Sequence, residues 1–124
     1  MSETSQSSDV TFASRVFRIA AIYGVVVLLP LYLLPVPHPW RLTHFGFVGV
    51  TLVFQAVFWI IARDPLHYRA LMPLAICEKL IFGIPALAFF VQGQADPVQA
   101  VFGALDMFWA TMFFLAMRRL RASS

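Results

Sequence analysis

The sequence predicts an all-α polytopic membrane protein, an up-down-up-down bundle of four transmembrane helices, and three observations carry that prediction. Of its 124 residues, 60% are hydrophobic and only 12% are charged, about half the charged share of an ordinary soluble domain. Mean hydropathy is accordingly +0.80. The apolar excess is gathered into four runs, at about 17–35, 42–62, 70–91 and 97–117. Each is close to the ~20 residues that carry a helix across ~30 Å of hydrocarbon at 1.5 Å per residue. Finally, Arg15, Arg18, Arg63, Arg69, Arg118, Arg119 and Arg121 flank the runs on one side and Arg41 alone on the other. That bias predicts cytoplasmic termini and outward-facing connections at 35–41 and 92–96.

This composition excludes soluble enzyme folds, nucleic-acid modules and disulfide-stapled secreted domains. The net charge of +3 reflects topology-setting arginines and calls for no anionic polymer as partner. The expected location is the inner (plasma) membrane, crossed several times.

Residues 1–14 read as a polar, Ser/Thr-rich N-terminal tail ahead of a four-span membrane domain at 15–124, with Asp9 as the cap of a helix starting near Val10. Arg15 and Arg18 before an apolar run also suit a signal peptide. The Pro35-Val36-Pro37-His38-Pro39-Trp40 segment, however, offers no small-x-small cleavage site, which favours a retained span. Pro30 in the first span and Pro85 in the third each remove a helix hydrogen bond and predict kinks. Pro73 and Pro97 fall in first turns, where proline is tolerated. The connection 63–69 is a tight polar turn, and Trp40, Trp59 and Tyr68 stand where interfacial anchors belong. Connections this short make successive helices antiparallel neighbours.

The informative residues are those a bilayer disfavours: Glu78 and Lys79 in the third span and Asp106 in the fourth. Each costs about 2.5–3.5 kcal/mol at a helix centre on insertion scales, so the three must face one another, water or a ligand. All lie near the middle of their runs, within a slab ~5 Å deep at helical rise. Gln55 and Tyr23 fall in the same slab, so every span contributes a polar group at one level.

Helical periodicity supports inward facing. Lys79 shares a stripe with Ala75, Gly83 and Ala86, and Asp106 with Gln99, Gly103 and Ala110, small residues that let helices approach. In the second span His44, Thr51 and Gln55 lie on one face. Adjacent residues project about 100° apart, so Lys79 is expected to pair with Asp106 rather than with Glu78. Glu78 is then expected to carry or share a proton, with Gln55 or Tyr23 as its hydrogen-bond partner. A structural alternative uses the same residues, with a Lys79–Asp106 pair that sets helix register and does nothing else.

Other signals are weaker. His38, His44 and Asp96 lie near the outer surface without the convergent spacing of a metal site, and no cofactor is called for. Cys77 is solitary, and the phenylalanines read mainly as lipid-facing or packing groups. No phosphate loop, serine elbow or zinc spacing is present, so enzymatic activity is less expected than binding.

The run Tyr68-Arg69-Ala70-Leu71-Met72-Pro73, then Glu78-Lys79 with Phe82-Gly83, and Asp106 ahead of Phe113-Phe114-Leu115-Ala116 resembles a pattern of small bacterial four-helix membrane proteins, loosely similar to the DoxX-like group. The resemblance covers mainly residues 68–117 and implies a bacterial inner-membrane location. The chain departs from the DoxX type in lacking a glycine-rich first span with a lysine near its end. It departs from small multidrug exporters in having Tyr23-Gly24 where their first span carries a glutamate.

Two functional expectations follow. The first is binding or movement of a small, partly polar molecule, with Glu78 as proton carrier, Lys79 and Asp106 as a switchable pair, and Gln55 and Tyr23 as orienting groups. The second is an accessory or structural membrane subunit whose charges fix packing or dock a partner. Because a single four-helix bundle encloses little space, any chamber is expected between subunits of a homo-oligomer or with a partner membrane subunit.

Overall fold

The computed structural model describes residues 3–123, and four long helices make up most of that length. They are α1 (Glu3–Leu28), α2 (Arg41–Arg63), α3 (Met72–Val91) and α4 (Pro97–Ser123), with short 3-10 turns at Leu29–Leu33, His38–Trp40 and Arg69–Leu71. All four are long and apolar enough to cross a membrane.

Two local features differ from the sequence expectation. Helix α1 begins at Glu3, well before Val10, and Asp9 lies buried inside it instead of capping it. The cause is tertiary. The Asp9 carboxylate accepts a charge-assisted bond from Arg119 Nε at 2.8 Å, and the same guanidinium lies 4.2 Å from the Phe12 ring centre. Docking on the last turns of α4 therefore supplies the polar N-terminal segment with partners that its own sequence does not. At the other end, α1 stops at Leu28 and tightens into a 3-10 turn with Pro30 in its first turn, the form taken here by the missing proline N–H. Helix α3, by contrast, continues through Pro85.

α3 packs most extensively on α4 and α1 on α2, while α2 and α3 barely meet. The α3–α4 seam is narrow because Gly83 and Gly103 face it: a Cβ on Gly103 would stand 2.8 Å from that of Ala86, and one on Gly83 3.1 Å from the Gly103 carbonyl oxygen. Between α1 and α2, the Ser14 hydroxyl donates to the Ala62 carbonyl at 2.7 Å. Nearly three turns further along α1, the absent side chain of Gly24 leaves the space that the buried Gln55 fills.

The core is confined to one half of the bundle. Phe17 of α1 stacks on Phe113 of α4 with centroids 4.3 Å apart, and Phe58 of α2 meets Phe113 edge-on at 5.0 Å. All three are fully buried among small residues such as Ala13, Ala20, Ala75 and Ala116. This close-packed half lies toward the start of α1 and the end of α4. Aromatic contacts of this kind add about 0.5–1.5 kcal/mol each beyond the area they bury.

The Gly24–Gln55 fit generates a test. Gly24→Val is expected to lower stability by about 1–3 kcal/mol, the usual cost of overpacking, read as a drop in the thermal midpoint of detergent-purified protein. Adding Gln55→Ala should restore most of the loss, because it vacates the space the new side chain needs.

Candidate functional site

In the other half of the bundle the helices part around a cavity of about 900 Å³, within the range of small-molecule sites. All four helices contribute to it, together with the 3-10 turn that follows α1. Its lining runs from Leu34, Thr43 and Asp96, near the 35–41 and 92–96 connections, to the polar groups Tyr23, Glu78 and Asp106 at mid-helix. The shape follows from packing. The sparse α2–α3 contact leaves the bundle unsealed on that side, and the aromatic core closes it below.

At the base, Lys79 Nζ lies 3.7 Å from Glu78 Oε2 and 3.7 Å from Asp106 Oδ1. The lysine is only 4% exposed, and its ammonium stands 5.2 Å from the Phe58 ring centre, so the top of the aromatic core is also a cation–π floor. The expected Lys79–Asp106 pair is thus present, but the expectation that Glu78 and Lys79 do not meet is corrected. The reason is reach. The 100° separation of neighbouring Cα–Cβ bonds constrains short side chains, whereas the four-carbon lysine stem bends back over its own helix toward the glutamate.

The magnitudes show what this arrangement leaves over. A pair of unit charges ~4 Å apart is worth about 4 kcal/mol at an effective dielectric of ~20, comparable to the insertion cost of one such residue at a helix centre. Lys79 has two such partners. Each carboxylate has half a partner, and Glu78 Oε2 is buried without a hydrogen bond.

The remaining predicted residues divide. Tyr23 lines the cavity beside the triad, its ring 5.8 Å from that of Trp109. Gln55 stands at the same level but lies behind the wall, donating its amide hydrogen to the Thr51 carbonyl at 2.9 Å, with Oε1 unpartnered. The expected bond from Gln55 or Tyr23 to Glu78 is not formed among the described residues. Gln55 instead wedges against Gly24, a role set by the glycine across the helix interface. Beside Thr43, His44 Nε2–H donates to the Leu31 carbonyl at 2.7 Å, tying α2 to the 3-10 turn that Pro30 begins. A cavity is already present within the single chain, where the 3-10 turn and the loose α2–α3 contact widen one half of the bundle.

Sequence reasoning missed the aromatic wall. Phe47, Phe82 and Phe102 line the cavity, and Phe47 and Phe82 approach across the open side with centroids 6.0 Å apart. The signal was there. Phe47 and Phe82 lie four residues from Thr51 and Glu78, as Phe102 does from Asp106, so each sits one turn beyond a polar cavity residue on the same helix face.

Set beside protein-family models, curated proteins and solved structures, the chain matches none of them.

The triad makes a sharp stability prediction. Lys79→Met should cost about 3–5 kcal/mol, the penalty of stranding buried charge after one partner is removed. The triple substitution Lys79→Met, Glu78→Gln, Asp106→Asn should recover most of that loss. Unfolding in mixed micelles measures both, and a triple variant no more stable than Lys79→Met alone would contradict the charge-balance account.

Proposed function

We propose that this chain is an integral membrane protein that binds, and in doing so can move, a small partly polar molecule at a proton-linked cluster halfway across the bilayer. The observation that carries the reading is the cavity itself: its lining runs from beside the 35–41 and 92–96 connections to Tyr23, Glu78 and Asp106, where Lys79 separates it from the aromatic core at Phe58. A core designed only for packing has no need of ~900 Å³ of space beside two incompletely compensated carboxyls. In this reading Glu78 is the proton carrier, Lys79 and Asp106 form a pair that a ligand can separate, and Tyr23 orients the ligand. Gln55 acts from behind the wall by holding α1 against α2.

The up-down-up-down arrangement belongs to the same proposal. It is supported by contacts that run in opposite order along neighbouring helices. Ser14 meets Ala62 and Gly24 meets Gln55; Asp9 meets Arg119 and Tyr23 meets Trp109; Lys79 meets Asp106 and Ala86 meets Gly103. With the arginine bias, this supports cytoplasmic termini, with the 35–41 and 92–96 connections outside. The likeness to the DoxX-like group adds a bacterial inner membrane as the setting.

The rival reading is a structural subunit, alone or beside a partner membrane protein. The observation favouring it is that Lys79 joins the two helices with the most extensive mutual packing, where an ionic lock sets register. Cysteine accessibility separates the two. In a Cys77→Ser background, Thr51→Cys should react with a membrane-impermeant thiol reagent applied from outside intact cells. A cysteine at Arg121 should react only after permeabilisation. A Thr51→Cys protein inert from both sides, purified with a stoichiometric companion, would favour the structural subunit.

A further inference from the structure

The cavity presents one sign of charge. Glu78 and Asp106 line it, but Lys79, which compensates both, does not. With all three ionised the triad carries one uncompensated negative charge, and it is the carboxylates that face the open space. Asp96 in its lining adds the same sign, and among the described residues no Lys or Arg lines the cavity. The walls above are apolar and aromatic, with Tyr23, Phe47, Phe82 and Phe102 among them.

We propose that the cavity takes a hydrophobic monocation: an organic ammonium whose charge settles against Glu78 and Asp106 and whose apolar body fills the aromatic half above them. The proposal rests on the cavity being a ligand site. Three physical points select this class. An organic cation with a shielded, spread charge loses less hydration on entering an apolar chamber than a compact ion. Aromatic faces attract such a cation through their quadrupoles. A bare metal ion needs several converging oxygen or nitrogen donors, and among the described residues no three His, Cys, Asp or Glu side chains converge. An anionic ligand would meet three carboxylates and no exposed cationic side chain.

Charge balance couples the ligand to protons. A proton on the triad and a monocation above it cancel the same single charge, so binding one displaces up to one of the other. The ionisable groups facing this space are Tyr23 from α1, His44 from α2, Glu78 from α3, Asp96 from the connection before α4 and Asp106 from α4, with Lys79 behind the floor. His44 already spends its Nε2–H on the Leu31 carbonyl. Affinity for the cation therefore rises with pH, by up to tenfold per unit while one proton is exchanged.

The test compares benzyltrimethylammonium, whose charge does not titrate, with its uncharged carbon isostere neopentylbenzene, using the full chain in nanodiscs of zwitterionic lipid and titration calorimetry or ligand-observed NMR. The cation should bind saturably and at least tenfold tighter than the isostere. Glu78→Gln and Asp106→Asn should each weaken it at least tenfold, with helicity by circular dichroism unchanged. Gly46→Phe should abolish binding of both probes, since Gly46 lines the cavity and a Cβ there meets open space. Equal affinity for the two probes, or cation binding unaffected by both carboxyl substitutions, overturns the ligand class and leaves the cavity standing as a binding site. If neither probe binds the unaltered chain, the binding reading falls with it.

Discussion

A single buried lysine shared between two carboxyl groups is the constraint on which the rest of the molecule depends. Lys79 lies 3.7 Å from both Glu78 and Asp106, in the middle of helices that are otherwise nearly uncharged. Three ionisable groups there are tolerable only if they solvate one another, which requires α3 and α4 to be close at that level. Gly83, Ala86 and Gly103 provide that approach one to two turns away. Small residues and charges are therefore two parts of one device: the first bring the backbones together, and the second penalise any register in which the charges fail to meet.

The same level divides the bundle into halves of different character. Below it, Phe17, Phe58 and Phe113 interlock among alanines and leave no room for solvent or ligand. Above it, the chain exchanges α-helix for a 3-10 turn at Leu29, and α2 and α3, which meet sparsely along their length, approach through the Phe47 and Phe82 rings. A cavity polar at its base follows from these packing differences alone. The lysine is held on the core side by Phe58, leaving the carboxyl groups to face the space. This asymmetry of three side chains, more than the presence of charge, is what the proposed preference for a cation rests on.

The ends of the bundle are stabilised differently. Arg119 bridges to Asp9 across the close of α4 and the start of α1 and covers Phe12, while Arg18 lies 5.7 Å from the Trp59 ring centre. Arginines that mark topology in the sequence thus also contribute contacts, as their apolar stems and planar heads allow. At the opposite end the His44 bond to Leu31 holds the 3-10 turn beside the cavity.

Much of this was legible in the residues. Hydropathy alone placed four apolar helices, since a hydrocarbon solvent imposes length and composition on each span regardless of its neighbours. Periodicity identified the inward stripe of Ala75, Lys79, Gly83 and Ala86, all buried in the structure, because small and charged residues are costly or useless against lipid. Contacts set by side-chain reach and by neighbouring helices were beyond that reasoning. The bend of Lys79 back to Glu78, the wedge of Gln55 into the gap left by Gly24, and the capture of Asp9 by Arg119 each depend on a partner distant in sequence or on a flexible stem. The cavity was hidden for the same reason: Phe47, Phe82 and Phe102 have the composition of lipid-facing residues, and only the relative tilt and spacing of four helices decides whether such a ring meets acyl chains or encloses a site. Sequence by itself determined the solvent and the polar level of this protein; tertiary structure decided which side of that level is empty, because empty space is a property of how helices diverge and no single helix encodes it.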